Sequence, residues 1–73
     1  MSKFPALTPR KVIKVLEKTG FVFKRQKGSH RLYAKGRRQV TIPYHHKDLK
    51  TPTVNSIIEQ SGLTKEEFLA SYR

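Results

Sequence analysis

The tripeptide Gly28-Ser29-His30 stands between two short strand-like runs, with Lys24, Arg25, Lys27 and Arg31 around it. An imidazole exchanges a proton near neutral pH, and the surrounding cations suit a phosphate chain. Cleaving a phosphodiester needs a group that gives and takes protons, plus positive charge against the developing oxyanion. RNA carries its own nucleophile in the 2′-hydroxyl, so one histidine and a few cations suffice. Neither a metal nor an enzyme nucleophile is called for. Gly28 permits a backbone conformation or close approach that a side chain would forbid, and Ser29 sets a short hydroxyl beside it. The pattern points to a nuclease that reads RNA mainly by its backbone. The plainer alternative is that His30 is a polar strand residue held by a hydrogen bond.

Two other groupings carry weaker signals. His45 and His46 are neighbours in a polar loop, so their rings point in different directions and need a third ligand to hold a metal. Asp48 alone is unspecific, and no metal site is expected. His45 is instead read as an auxiliary phosphate contact or as plain loop polarity. Phe21, Phe23, Tyr33 and Tyr44 are interleaved with Lys24, Arg25, Arg31 and Lys35, an arrangement in which rings stack bases while cations hold phosphates. So small a core needs its phenylalanines, so Phe21 and Phe23 are expected inside. Tyr33 is left open between core and surface; its parity with Arg31 and Lys35, opposite Leu32 and Ala34, favours an outward, partner-facing ring.

The whole composition supports a polyanionic partner. Sixteen Lys and Arg against five Asp and Glu give a formal charge of +11 over 73 residues, far beyond the net charge of about 2–8 that solubility asks of a small domain. Nucleic acid fits best; an acidic protein or an anionic membrane surface is the alternative. The chain, residues 1–73, is expected to form one domain near the lower size limit for a self-sufficient core. It has no cysteine, which excludes disulfides and thiolate metal sites. No apolar run approaches the roughly 20 residues of a membrane span, and no signal-peptide core is present. A soluble protein without cofactor or small-molecule ligand is expected.

The residues must be positioned by an α-β-β-β-α order with a short final helix. Thr8 and Pro9 suit the N-cap and first position of a helix. Val12, Ile13, Val15 and Leu16 form its apolar face, Arg10, Lys11, Lys14 and Lys18 stay wet, and Gly20 stops it. Three strands follow at Phe21–Gln26, His30–Lys35 and Gln39–Tyr44, with turns at Gly28 and at Gly36-Arg37-Arg38. Val40, Ile42 and Tyr44 alternate against Gln39, Thr41 and Pro43, and Pro43 belongs at a strand end or edge. Thr51 and Pro52 are read as N-cap and first residue of a second helix, with Val54, Ile57 and Ile58 inward and Gly62 at its end. Thr64 and Glu67 form a capping box before Phe68, Leu69 and Tyr72. The expected architecture is α+β: a three-stranded antiparallel sheet with two helices on one face.

The helix Val12-Ile13-Lys14-Val15-Leu16-Glu17-Lys18, the pair Gly20-Phe21, the run Arg25-Gln26-Lys27-Gly28-Ser29-His30, Val40-Thr41-Ile42-Pro43 with His45, and Ser56-Ile57-Ile58-Glu59-Gln60-Ser61-Gly62-Leu63 together make the chain resemble the HicA family of bacterial toxins, which are small mRNA interferases. The likeness begins at Leu7 and covers nearly the whole length; Gly-Ser-His after Arg-Gln-Lys is its most specific piece. Where the family often has Gly-Thr before the second helix, this chain has Pro52-Thr53, and proline suits a helix start. The resemblance implies a double-stranded-RNA-binding-domain-like fold and a metal-independent endoribonuclease of a type II toxin–antitoxin system. It places the catalytic histidine on His30, and implies a HicB-type antitoxin that masks it and action on mRNA in a prokaryotic cytoplasm. Lys24, Arg25, Lys27, Ser29 and Arg31 are the expected phosphate contacts, with Gly28 and His45 as auxiliaries. Two rivals stand beside this reading: a non-catalytic RNA-binding domain of the same fold, and a subunit whose basic surface serves only an acidic protein.

Overall fold

The computed structural model describes residues 7–72. Thr8 caps the first helix, its Oγ1 accepting from the Lys11 amide at 3.3 Å, and α1 runs Pro9–Lys18. Its inward stripe is Val12, Ile13, Val15 and Leu16, as the 3.6-residue period requires. The helix ends where the Thr19 hydroxyl donates back to the Val15 and Leu16 carbonyls. The three strands are β1 (Val22–Lys27), β2 (His30–Lys35) and β3 (Arg38–Pro43). They form an antiparallel sheet in the order β1-β2-β3. Both connections are two-residue turns, Gly28-Ser29 and Gly36-Arg37, bounded by the pairs Lys27–His30 and Lys35–Arg38. In each, only the first central residue has positive φ, +58° at Gly28 and +59° at Gly36. That is the pattern of a type II′ turn, whose twist matches the strands it joins.

Helix α2 (Thr51–Ser61) packs on β3, and α3 (Lys65–Tyr72) packs on α1. Tyr33, Val40 and Ile42 from the sheet meet Val12, Leu16, Val54, Ile57 and Phe68 from the helices in one core. Both main helices therefore cover one face of the sheet, and the other face is open, as antiparallel sheets allow. Strand β3 lies on an edge with Pro43 as its last residue. Gln60 covers part of that edge, its Oε1 accepting from the Thr41 amide at 3.1 Å. The capping box closes as expected: the Thr64 amide donates to Glu67 Oε1 at 2.8 Å and the Glu67 amide to Thr64 Oγ1 at 3.0 Å.

Four expectations require correction. Thr51 is not the N-cap of α2; that place belongs to Lys50, which makes no side-chain cap bond, and Thr51 is already helical. The first and third strands lie a residue away from their expected spans. Tyr33 does not face outward: it is 2% exposed and among the largest side chains of the core. Its parity with Arg31 and Lys35 is real, but the face they share is the helix-covered one. The two long side chains reach off that face with their charged ends, Arg31 to the Tyr44 ring and Lys35 Nζ to the Thr19 carbonyl at 2.6 Å. Phe21 is buried as expected, whereas Phe23 is 50% exposed. Every residue of β1 is exposed, because that strand extends beyond the cover of the helices.

Candidate functional site

An open cleft of about 610 Å³ lies on the uncovered face of the sheet, lined by Arg25, Lys27, Gly28, Ser29 and His30 with Leu32, Gln39 and Thr41. Register explains the grouping. Lys27 pairs directly with His30, Arg25 with Leu32, and Leu32 in turn with Thr41. Directly opposed residues hold their Cβ atoms about 4.5–5.5 Å apart, and diagonal neighbours about 7–8 Å. Arg25 and Lys27 therefore stand in the rows that contain Leu32 and His30.

A β-bulge makes this possible. Phe23 pairs with Tyr33 and Arg25 with Leu32, leaving Lys24 as the extra residue. Unbroken alternation from Phe23 would send Arg25 and Lys27 to the helix side. The insertion re-aims them onto the side of His30, a usual effect of bulges. Gln26 then falls on the helix side opposite Arg31, and the Arg31 Nε donates to Gln26 Oε1 at 3.0 Å.

The cleft contains no carboxylate. Arg25, Lys27 and His30 are all exposed, and none has a side-chain hydrogen bond or ion pair among the described residues. Two cations and an imidazole thus meet solvent together, on a floor of Leu32 and Thr41. Such a surface can seat an anion between Arg25 and Lys27 and offer it a proton carrier alongside. The turn itself is held at its base: the Gln26 side-chain amide donates to the Gly28 carbonyl at 2.9 Å, and the Tyr44 amide donates to the Ser29 carbonyl.

Of the expected site residues, the cleft brings together His30, Arg25, Lys27, Gly28 and Ser29. Lys24 is exposed at the bulge and does not line it. Arg31 lies on the opposite face of the sheet, its guanidinium carbon 3.8 Å from the centre of the Tyr44 ring. His45 lines a separate cleft with Thr8, Arg10, Tyr44 and His46, where its Nδ1 accepts from the Lys47 amide at 3.2 Å. No three of His, Cys, Asp and Glu cluster as metal ligands among the described residues. Leu32, Gln39 and Thr41 line the cleft without having been singled out from the sequence. Gln39 and Thr41 lie on the polar parity of the third strand, so the alternation contained that signal once the open face was known.

No curated protein matches the chain closely. The family model for the HicA toxin of bacterial toxin–antitoxin systems matches residues 9–63, from the first residue of α1 to just beyond α2. That span includes every strand and the whole His30 cleft. Among the described residues no helix is long and apolar enough to cross a membrane. With well over half its length matched, the chain belongs to the HicA toxin family.

Proposed function

We propose that the protein is an endoribonuclease, a single-domain mRNA interferase of a type II toxin–antitoxin system, acting in the cytoplasm. The observation that carries this reading is the gathering of Arg25, Lys27, Ser29 and His30 around one open cleft without a carboxylate. In such a reaction the ribose 2′-oxygen attacks phosphorus and the bond to the 5′-oxygen breaks. One proton leaves the 2′-hydroxyl and one arrives on the leaving 5′-oxygen. His30 moves one of these protons; water, Ser29 or a lysine moves the other. Arg25 and Lys27 hold the phosphate and offset the charge that grows on its oxygens. Lys24, exposed at the bulge, adds to the field that draws the polyanion in, and His45 serves as an auxiliary contact outside the cleft.

The same open cations call for cover in the cell. A HicB-type antitoxin with an acidic surface masks Arg25, Lys27 and His30 by electrostatic complementarity. One observation favours a second reading, a non-catalytic RNA-binding domain: no side chain orients the His30 ring by a hydrogen bond among the described residues. The test separates the two. Purified protein and its His30→Ala variant are incubated with end-labelled RNA, with and without EDTA. The proposal expects new RNA ends from the parent with or without EDTA, none from the variant, and nearly equal RNA affinity for both. A variant that cuts as well as the parent removes His30 from the mechanism, and binding without new ends in either supports the second reading.

A further inference from the structure

Behind the sheet, on the side of the helices, two adjoining clefts share Arg10 and Tyr44 as a common wall. One continues to His45, the other to Lys14, Arg31 and Glu17. We propose that this surface is a second RNA subsite, which holds the strand flanking the scissile phosphate after it leaves the His30 cleft. The inference rests on the RNA-cleaving reading of that cleft and adds where the rest of the strand lies.

Three observations support it. First, Arg31 is already set for an anion. Tyr44 stacks on its guanidinium at 3.8 Å and Gln26 takes its Nε at 3.0 Å. No ion pair joins it to Glu17 or any other carboxylate among the described residues. Its terminal nitrogens remain available, and the side chain loses little freedom on binding. Second, Arg10 and Lys14 lie four residues apart on one face of α1. The first turn of that helix contains no acidic residue, although the helix dipole favours one there. Arg10 stands in that turn against the dipole, and Lys14 repeats its charge one turn further on, a spacing at which like charges repel; an anion held between them relieves both. Glu17 is the single carboxylate lining the surface, against three cations.

Third, the two basic surfaces join. His30 and Arg31 are consecutive, so their side chains leave opposite faces of the sheet. The junction is the end of the sheet at Ser29, whose carbonyl accepts from the Tyr44 amide. Gly28 leaves that corner open: a Cβ there would meet nothing within 4 Å. A flexible single strand can therefore turn the corner from one cation set to the other without displacing the core. A rigid acidic protein surface matches two faces of a sheet less readily, which favours RNA.

The experiment compares binding of a 12-nucleotide single-stranded RNA and of a dinucleotide, both on a His30→Ala background so that nothing is cut. Into this background go Arg10→Gln with Lys14→Gln, both good helix formers. A control, Lys11→Gln with Arg37→Gln, removes equal charge elsewhere. Anisotropy titrations run from 50 to 200 mM salt, and circular dichroism confirms the fold of each variant. Loss of two single-strand phosphate contacts lowers the salt slope by about 1.4. The 12-mer's loss of affinity across that range then shrinks about sevenfold, while the dinucleotide and the control change little. An unchanged 12-mer slope, an equal loss for the dinucleotide, or an equal effect of the control overturns the inference. So does unaltered RNA binding accompanied by weaker binding of an acidic partner protein. A protein that binds in this pattern yet cuts nothing with His30 restored refutes the nuclease reading and leaves the subsite standing.

Discussion

The two hairpin turns provide a controlled test of the site, because they share a conformation and differ in what they hold. Gly28 and Gly36 have φ of +58° and +59°, and a Cβ on either would meet nothing within 4 Å. Substitution by alanine therefore adds backbone strain with no collision, about 1–3 kcal/mol at each. Seventy-three residues at ordinary stability per residue give roughly 4–11 kcal/mol in all, so both variants should fold at 25 °C. Each kcal/mol lost should lower Tm by about 4–8 °C, and the two losses should be alike. Cleavage should separate them. Relaxation at Gly28 displaces Ser29 and His30, and a misplacement of about 1 Å costs on the order of 10²-fold in rate. Gly36 lies at the other end of the strands, next to the Lys35–Arg38 pair, and its variant should cut within a few-fold of the parent. The assay is single-turnover cleavage well below both melting points, alongside urea denaturation. Equal loss of cutting in both variants, or a Gly28→Ala protein that melts like the parent, would refute the reasoning.

Other outcomes follow from burial, register and charge. Tyr33→Phe should change stability by no more than about 0.5 kcal/mol, since the hydroxyl has no partner among the described residues and is not sealed from water; Tyr33→Ala should cost about 3–5 kcal/mol in urea denaturation, and a smaller loss would place the ring outside the core. Deletion of Lys24 should be tolerated within about 1 kcal/mol, because it leaves Phe23–Tyr33 and Arg25–Leu32 as consecutive regular pairs; loss of the His30 cleft's RNA binding beyond one cation's share would show that the bulge does more than set parity. A complex with an acidic antitoxin should weaken steeply from low to high salt; a salt-insensitive dissociation constant would mean that apolar burial dominates the interface.

Much of this architecture was legible because local rules and the global fold agree. The Thr8 cap, the α1 stripe, the alternation of Val40 and Ile42 and the reciprocal Thr64–Glu67 pair all appear where the residue types place them. The failures have a common physical origin. Parity assigns side chains to faces but does not say which face the helices cover, and charged neighbours mislead when their stems are long enough to leave the face they start from. Parity with Arg31 and Lys35 points Tyr33 outward, yet the charged ends of those two side chains lie over Tyr44 and at the end of α1. The need of a small core for aromatic bulk points Phe23 inward, yet the ring makes an edge-to-face contact with Tyr33, lies near Arg31 and stays 50% exposed.

Holding Phe21 in the core while Arg25 and Lys27 face the cleft requires an irregularity that no residue type announces. Lys24 is an ordinary strand-surface lysine by composition, and nothing in Phe21–Lys27 distinguishes a regular strand from a bulged one. Burial decides where the irregularity falls. Phe21 is 3% exposed and anchors the start of the segment in the core, while the Gly28-Ser29 turn fixes Lys27 opposite His30 at its other end. Between two fixed ends of unlike parity the strand must absorb one extra residue, and it does so where both faces are open to water. The outcome divides the basic charge of the hairpin between two faces: Arg25 and Lys27 stand with His30, and Arg31 stands behind them with Tyr44. An anchor in the core and a two-residue turn thus place two cations beside one imidazole, which is why the Gly28 turn, rather than any single charge, is the element on which the cleft's composition rests.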